Sequence, residues 1–166
     1  MKKETYVKRT RPFREHAKMA QGLHIANKLC TLTMYLAYPL LIGYMLFVQK
    51  DASVARMIIV PANSFVLVSA FRYLVNRPRP YEAFGVSSVI AKDTKGKSFP
   101  SRHVFSAMII ALTFLWASPF PGLGLVFVIV SLLLAVVRVV SGVHYISDVL
   151  AGIIAAVVAG VIGYVL

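Results

Sequence analysis

The strongest constraint on the fold is a series of five apolar blocks separated by short polar turns. The blocks occupy about residues 29–48, 57–75, 104–117, 122–137 and 149–166. A helix needs about 20 apolar residues to span a bilayer, so only the first block is long enough by itself. The other blocks reach that length when they include polar residues at one end, which is expected where helix ends build a polar site.

Buried helices of a soluble protein are the alternative interpretation of these blocks. Five such blocks within 166 residues, in a chain that is 58% hydrophobic, disfavour that interpretation. The pattern therefore predicts an all-α, polytopic transmembrane helix bundle of about five spanning helices, forming one domain over residues 25–166. We expect this multi-pass protein in the cell membrane.

The net charge of +12, from 18 Lys and Arg against 6 acids, indicates an anionic partner. On a soluble protein such an excess would suggest nucleic acid. Here the basic residues lie at the N-terminus and around one loop, between apolar blocks. We therefore expect phospholipid or a phosphorylated substrate, and no nucleic acid.

Residues 1–24 form a separate basic, polar segment ahead of the first apolar block. Its basic residues are Lys2, Lys3, Lys8, Arg9, Arg11, Arg14 and Lys18. After Pro12 the pattern predicts an amphipathic helix on the bilayer surface, with Phe13, Met19 and Leu23 as apolar anchors. This segment is expected to bind anionic lipid.

Three ionisable side chains in the C-terminal half stand out: Arg138, His144 and Asp148. Such groups are costly in a bilayer and usually mark a functional site. His144 and Asp148 are four residues apart, so on a helix they share a face. An aspartate that fixes one imidazole nitrogen leaves the other free as a nucleophile or base. The alternative is a structural Arg–Asp pair beside a satisfied histidine.

Two further basic clusters lie at the ends of apolar blocks. Ser101, Arg102 and His103 open the third block, where a helix N-terminus favours an anion such as phosphate. Arg72 and Arg79 close the second block, and arginine is suited to bidentate phosphate binding. Taken alone, the second cluster would be interpreted as a membrane-interface anchor.

Hairpin order places all of these helix ends on one membrane face. Several cations, two histidines and one aspartate therefore converge on an oxyanion site. The carboxylates near this face, Glu82, Asp93 and Asp148, form no pair at metal-ligand spacing, and we predict neither a metal nor a cofactor. The polar connection over 76–100 is long for a loop, which favours a functional role.

The spaced clusters resemble the motifs of the type 2 phosphatidic acid phosphatase family: K-x6-R-P, then P-S-G-H, then S-R-x5-H-x3-D. The chain has Arg72-x6-Arg79-Pro80, then Pro100-Ser101-Arg102-His103, then Val137-Arg138-x5-His144-x3-Asp148. Order and spacing match over residues 72–148, while arginine replaces the family lysine at 72 and glycine at 102, and valine replaces serine at 137. The family usually has six spanning helices, with the active site facing outward. Five spans and a basic N-terminus favour a cytoplasmic site by the positive-inside rule, so the sequence leaves both orientations open.

The resemblance implies a role for each motif residue. His144 would attack phosphorus and form a phosphohistidine, oriented by Asp148, and His103 would protonate the leaving alcohol and then activate water. The phosphoryl oxygens would be held by Arg72, Arg79, Ser101, Arg102 and Arg138. For Arg102 two arrangements are open, because its side chain can enter the pocket and contact a second phosphate or turn outward to lipid headgroups.

The sequence thus favours an integral membrane phosphatase acting on a lipid phosphate or diphosphate. Candidate substrates are phosphatidate, phosphatidylglycerophosphate and undecaprenyl diphosphate. Alternatives are a phosphotransferase or soluble-phosphate phosphatase with the same site, and a non-catalytic lipid-phosphate binder or transporter. Intact His103, His144 and Asp148 argue against a binder, since binding requires only the cations.

Overall fold

The computed structural model describes residues 2–92 and 94–166, and over these residues the chain is helical with no β-strand. The helices are Lys3–Glu15 (α1), Ala17–Tyr44 (α2), Val54–Val75 (α3), Pro80–Phe84 (α4), Arg102–Ala117 (α5), Pro121–Val140 (α6) and Ile146–Gly160 (α7). A π-helical turn extends α2 over Met45–Gln49, and another extends α7 over Val161–Val165.

The five apolar blocks correspond to α2, α3, α5, α6 and α7, which confirms the predicted fold class. Among the described residues, four stretches are long and apolar enough to cross a membrane: Ala17–Gln49, Val54–Phe84, Pro121–Val140 and Ile146–Val165. The fifth apolar helix, α5, has 16 residues. Large apolar side chains such as Leu40 and Leu74 are exposed on the outside, where lipid would cover them. The protein is a multi-pass membrane protein.

Helix α5 lies at the centre of the bundle, packed against α3, α6 and α7. Val104, Phe105 and Ala111 on α5 are fully buried. On α6, a Cβ at Gly124 would lie 2.5 Å from the backbone nitrogen of Leu115, so glycine permits close approach of the two helices. Because α5 is surrounded by other helices, its short length leaves little backbone exposed to lipid.

The N-terminal helix differs from the sequence expectation. It runs over Lys3–Glu15 and includes Pro12, whereas the sequence indicated a helix starting after Pro12. Its buried residues are Tyr6 and Thr10, while the expected anchor Met19 is exposed. The expected start was wrong because tertiary packing of Tyr6 and Thr10, which periodicity does not reveal, fixes the first turns. The division at residue 24 remains a prediction.

The helix ends that carry the motifs meet at one end of the bundle. The start of α5 is joined to the start of α7 by a hydrogen bond from the Ser101 N–H to the Asp148 carbonyl, 2.8 Å. At Gly152 on α7, a Cβ would lie 2.8 Å from the Ser101 carbonyl oxygen, so a larger residue would push the two helices apart. The connection between α3 and α5 folds over this end, where the Ser98 N–H donates to the Arg77 carbonyl, 2.9 Å.

Candidate active site

His144 lies in the tight turn between α6 and α7. The N–H groups of Val143 and His144 both donate to the Arg138 carbonyl at 3.2 Å, which holds the turn against the end of α6. Helix α7 then begins, and Asp148 lies in its first turn with its side chain fully buried. The Nδ1 atom of His144 is 3.4 Å from Asp148 Oδ2. The other ring nitrogen, Nε2, is therefore the one left for chemistry.

Asp148 is the centre of a polar network. Its Oδ2 accepts from the Ser98 hydroxyl at 2.5 Å and from the Tyr145 N–H at 2.9 Å. Its Oδ1 accepts from Arg77 Nη1 at 2.8 Å. The sequence left open a structural pair between Arg138 and Asp148, but the arginine that pairs with Asp148 is Arg77.

Arg77 and Ser98 were missed as site residues by sequence reasoning. The Arg77 guanidinium also donates to Ser147 and lies 4.1 Å from the centre of the Tyr145 ring. Ser98 is fully buried, and its hydroxyl lies 3.4 Å from His144 Nδ1. A signal existed for both, because Arg77 directly precedes Pro78 and Ser98 lies two residues before Pro100 in the connection between α3 and α5.

Three of the four motif arginines, Arg72, Arg79 and Arg138, are buried near the same end. Arg72 donates to the Pro100 carbonyl, and Arg79 Nε donates to the Gly96 carbonyl at 3.0 Å. Arg138 is 2% exposed, and its Nε has no hydrogen-bond partner within the described residues. Buried donors without partners are rare, and an anion could satisfy this one.

The start of α5 contributes the second motif. Ser101 is at the N-cap position and fully buried, yet its hydroxyl makes no capping bond and has no partner among the described residues. Arg102 is exposed, with its guanidinium 5.3 Å from the centre of the Phe65 ring. His103 is half-buried and within electrostatic range of Arg138 and His144.

A polar cavity of about 440 Å³ lies between these elements. We call it the polar cavity, and its lining residues are Ser69, Arg72, Tyr73, Arg79, Lys92, Thr94, Lys97, Arg102, His103 and Arg138. Six of these side chains are lysine or arginine and none is acidic. Such a site stabilises a phosphoryl group by charge and by directed N–H donors.

His144 is close to the polar cavity but does not line it. Its side chain is 2% exposed, within electrostatic range of Arg79 and Arg138, which do line the cavity. Burial lowers the pKa of His144 to about 4, against an opposing contribution from its contact with Asp148. The imidazole is thus neutral near pH 7, the form a nucleophile requires.

A second, apolar cavity of about 600 Å³ extends into the bundle from the same place. Its lining includes Met34, Tyr38, Phe65 and Ile109 from α2, α3 and α5. The apolar and polar cavities share Arg102 and His103. Polar and apolar binding surfaces therefore meet at the start of α5.

Within 2–92 and 94–166, no group of three or more His, Cys, Asp or Glu side chains converges in a way that would hold a metal ion. Asp93, one of the carboxylates considered in the sequence, lies outside the described residues.

Comparisons with known proteins agree with this architecture. The structure of LpxE from Aquifex aeolicus matches with a TM-score of 0.75 and 22% identity, covering 98% of this chain and 94% of that one. A PAP2-type phosphatidylglycerolphosphate phosphatase from Bacillus subtilis matches with a TM-score of 0.73 and 18% identity, covering 96% and 82%. A search of curated protein sequences finds no significant match. The family model of the PAP2 superfamily matches residues 53–166, which is more than half of the chain, and the protein belongs to that superfamily of phosphatases.

Proposed function

We propose that the protein hydrolyses a lipid phosphate or lipid diphosphate through a phosphohistidine on His144, without a metal. The observation that carries this proposal is the junction of the polar and apolar cavities at Arg102 and His103. An ester whose phosphate occupies the first cavity and whose chain occupies the second has its scissile bond beside His103.

In the first step, Nε2 of neutral His144 attacks the terminal phosphorus, and a P–N bond forms as the P–O bond to the leaving group breaks. A bound phosphate anion favours the protonated form of His103, which donates its proton to the departing oxygen. A lipid monophosphate therefore leaves as an alcohol, and a lipid diphosphate leaves as a lipid monophosphate. Asp148 stabilises the positive charge that develops on His144. The motif arginines and the Ser101 hydroxyl balance the charge on the equatorial oxygens.

In the second step, His103 is neutral and removes a proton from water. The resulting hydroxide attacks phosphorus, the P–N bond breaks, and inorganic phosphate leaves. His144 returns to its neutral form and His103 to its protonated form, so the cycle needs no metal or redox partner. The cationic composition of the polar cavity supports this, because arginine and lysine do not coordinate divalent metals.

The apolar cavity supports a lipid as the substrate. Its walls are formed mainly by aliphatic and aromatic residues, which suit a hydrocarbon chain. One structural neighbour is described as a phosphatidylglycerolphosphate phosphatase, and that lipid belongs in any substrate panel. We further propose that the protein resides in the cell membrane and that the basic N-terminal segment contacts anionic lipid.

The decisive experiment measures phosphate release by purified protein in detergent with EDTA. The panel contains phosphatidate, phosphatidylglycerophosphate and undecaprenyl diphosphate, with glycerol 3-phosphate as the soluble control. We expect release from at least one lipid and little from the control. Preference for the control would identify a soluble-phosphate phosphatase. Transfer of phosphate to an added alcohol in place of water would identify a phosphotransferase. Binding of lipid phosphate without release would identify a lipid-phosphate binder.

The role of the apolar cavity is tested by filling it. Ala62 on α3 lines the cavity, and Ala62→Trp should raise KM for a long-chain lipid phosphate more than for a short-chain one. Ala55→Trp, at an exposed position on the same helix that lines neither cavity, is the matched control. An equal effect on both chain lengths would contradict tail binding there.

A further inference from the structure

The polar cavity contains more cations than one phosphate requires. Arg72, Arg79 and Arg138 already suffice for the scissile phosphoryl group in the proposed function. Three more cationic side chains line the same cavity: Lys92, Lys97 and Arg102. None of these three forms an ion pair with a carboxylate in the part of the chain that the structure describes.

Lys97 is held in place by its backbone. It has a φ of +53°, which is uncommon for a residue with a side chain and indicates a conformation imposed by its surroundings. Its N–H donates to Asn76 Oδ1 at 3.2 Å, and its ammonium lies 4.6 Å from the centre of the Tyr73 ring. Its neighbour Gly96 is anchored by the Glu82 carboxylate, which accepts from the glycine N–H at 2.8 Å.

Lys92 and Arg102 approach the cavity from other elements. Lys92 is half-buried, and burial together with nearby Arg138 and Arg79 lowers the pKa of its ammonium group. Cations gathered without a described carboxylate repel one another, and an anion placed among them relieves that repulsion. Arg102 begins α5 and lies at the junction with the apolar cavity.

We propose that Lys92, Lys97 and Arg102 form a second anion subsite beside the scissile phosphate. Its ligand is a second phosphate of the same substrate, so the substrate class is a lipid diphosphate or a lipid whose headgroup carries two phosphates. The cavity of about 440 Å³ lies within the range of about 300–1,000 Å³ found for small-molecule sites. This inference rests on the proposed function and narrows its substrate.

The test compares farnesyl diphosphate with farnesyl phosphate, which share one tail. Lys92→Gln and Lys97→Gln should each lower kcat/KM on the diphosphate by about tenfold to a hundredfold, the effect of losing one charge-assisted contact. On the monophosphate the loss should be several times smaller, and this activity also shows that each variant is folded. Lys95→Gln is the matched control, because Lys95 is exposed in the same loop and does not line the cavity.

Equal losses on the two substrates, or a wild-type enzyme that cleaves the monophosphate and not the diphosphate, would overturn the second subsite and leave the proposed phosphatase intact. Release of phosphate from neither substrate, nor from any lipid of the panel, would instead remove the proposed function itself.

A different observation concerns Tyr6 on α1, which is 1% exposed although most residues of the helix are polar. Its hydroxyl lies 3.3 Å from the Gly142 carbonyl oxygen and 3.2 Å from the Val86 carbonyl oxygen. Gly142 has a φ of +77°, and a Cβ there would lie 2.5 Å from the Tyr6 hydroxyl oxygen. The glycine therefore permits both the turn and the close contact, two residues before His144.

We infer that Tyr6 is a positioning residue, which holds the His144 turn through the Gly142 carbonyl. The ring packing supports this. The ring centres of Tyr6 and Phe84 are 5.3 Å apart, and the ring of Phe84 packs edge-on against that of Tyr145, with centres 6.4 Å apart. The N-terminal helix is thereby packed directly against the turn that carries the nucleophile.

Tyr6→Phe keeps the ring and removes the hydroxyl. It should lower kcat by about twofold to tenfold, the effect of one neutral hydrogen bond, with KM unchanged. Tyr164→Phe is the control, because it removes a tyrosine hydroxyl bonded to Thr113 away from the site. A lower melting temperature in detergent with wild-type kcat would show that Tyr6 acts only in folding, and would overturn the inference.

Discussion

Around Asp148 most polar groups have partners within the protein, whereas around Arg138 several do not. The Asp148 carboxylate accepts from Arg77, Ser98 and the Tyr145 N–H, and it contacts His144. The Arg138 Nε and the Ser69 hydroxyl, both in residues that line the polar cavity, have no partner within the described residues, and neither has the Ser101 hydroxyl at the start of α5. The two halves of the site are thus built on different principles.

The network around Asp148 and His144, which we call the nucleophile half, is completed by folding alone. The cations around Arg138, which we call the anion-binding half, are completed only when a ligand binds. A network that is satisfied internally fixes the orientation of a nucleophile before substrate arrives. A cluster of buried cations without carboxylates costs free energy until an anion binds. Variants in the nucleophile half should therefore lower both activity and stability. Variants in the anion-binding half should lower activity alone.

The largest effect is expected for His144→Ala, which removes the proposed nucleophile. Turnover should fall to the detection limit, and the wild type should yield an acid-labile, base-stable phosphoenzyme that the variant does not. His24→Ala, at an exposed histidine of α2, is the control. Turnover of the variant at about a tenth of the wild-type rate or more would reject this assignment.

Asp148→Asn should lower kcat by about 10²- to 10⁴-fold, since the developing charge on His144 loses its counter-ion. It should also lower the melting temperature in detergent, because the ion pair with Arg77 is lost. Asp51→Asn, in the turn at the far end of the bundle, is the control. An unchanged melting temperature would show that the network around Asp148 does not stabilise the folded protein.

Arg138→Met tests the opposite half. Catalytic efficiency should fall by about tenfold to a hundredfold through the loss of charge-assisted contacts to phosphate. The melting temperature should stay level or rise, because a 2% exposed guanidinium near Arg79 is replaced by an apolar side chain. Arg56→Met, at an exposed site on α3, is the control. A clear decrease in the melting temperature would show that Arg138 stabilises the fold as Asp148 does, and would contradict the proposed difference between the two halves.

A smaller effect is expected in the pH dependence of stability. The folded-state pKa of His144, about 4, is below the ordinary value of 6.5, so the unfolded chain binds more protons between these values. The contribution of this residue is present above about pH 6.5 and is lost as the pH falls through 4. In the His144→Gln variant, the melting temperature should therefore fall less steeply than in the wild type as the pH is lowered from about 6.5 to about 4. The same dependence of melting temperature on pH in both proteins would show that His144 does not titrate in this way.

No effect is expected from metal removal. Activity should persist in millimolar EDTA, since neither half of the site needs a metal in the proposed mechanism. Vanadate should inhibit by occupying the anion-binding half as a five-coordinate phosphorus mimic. Activity lost in EDTA and restored by magnesium or zinc would require a different mechanism.

The sequence predicted the helices better than the network between them. Block lengths and motif spacings were sufficient for the five apolar helices and for the convergence of Arg72, His103 and Arg138. Arg77 and Ser98 were missed because their contacts with Asp148 cross about 50 to 70 residues of chain and depend on how the long connection folds. No local pattern encodes such contacts.

The same limit applies to the N-terminal helix. Its charge was evident from the sequence, and its amphipathic character was predicted. Its docking through Tyr6 was not, because the partners of that hydroxyl are backbone carbonyls 80 and 136 residues away. Backbone acceptors are present at every residue, so the sequence does not single out the carbonyls that a side chain will reach.

Because Arg102 and His103 line both the polar and the apolar cavity, the products of the proposed reaction leave into different surroundings. For a lipid monophosphate, cleavage at the junction of the two cavities releases a hydrocarbon alcohol on one side and an inorganic ion on the other. The alcohol partitions into the bilayer, and the ion diffuses into water. Reversal would require the two to meet again from different phases, one confined to a two-dimensional leaflet and the other diluted in bulk solution. The separation of the products into two phases therefore disfavours the reverse reaction, and the driving free energy comes from hydrolysis of the phosphate bond.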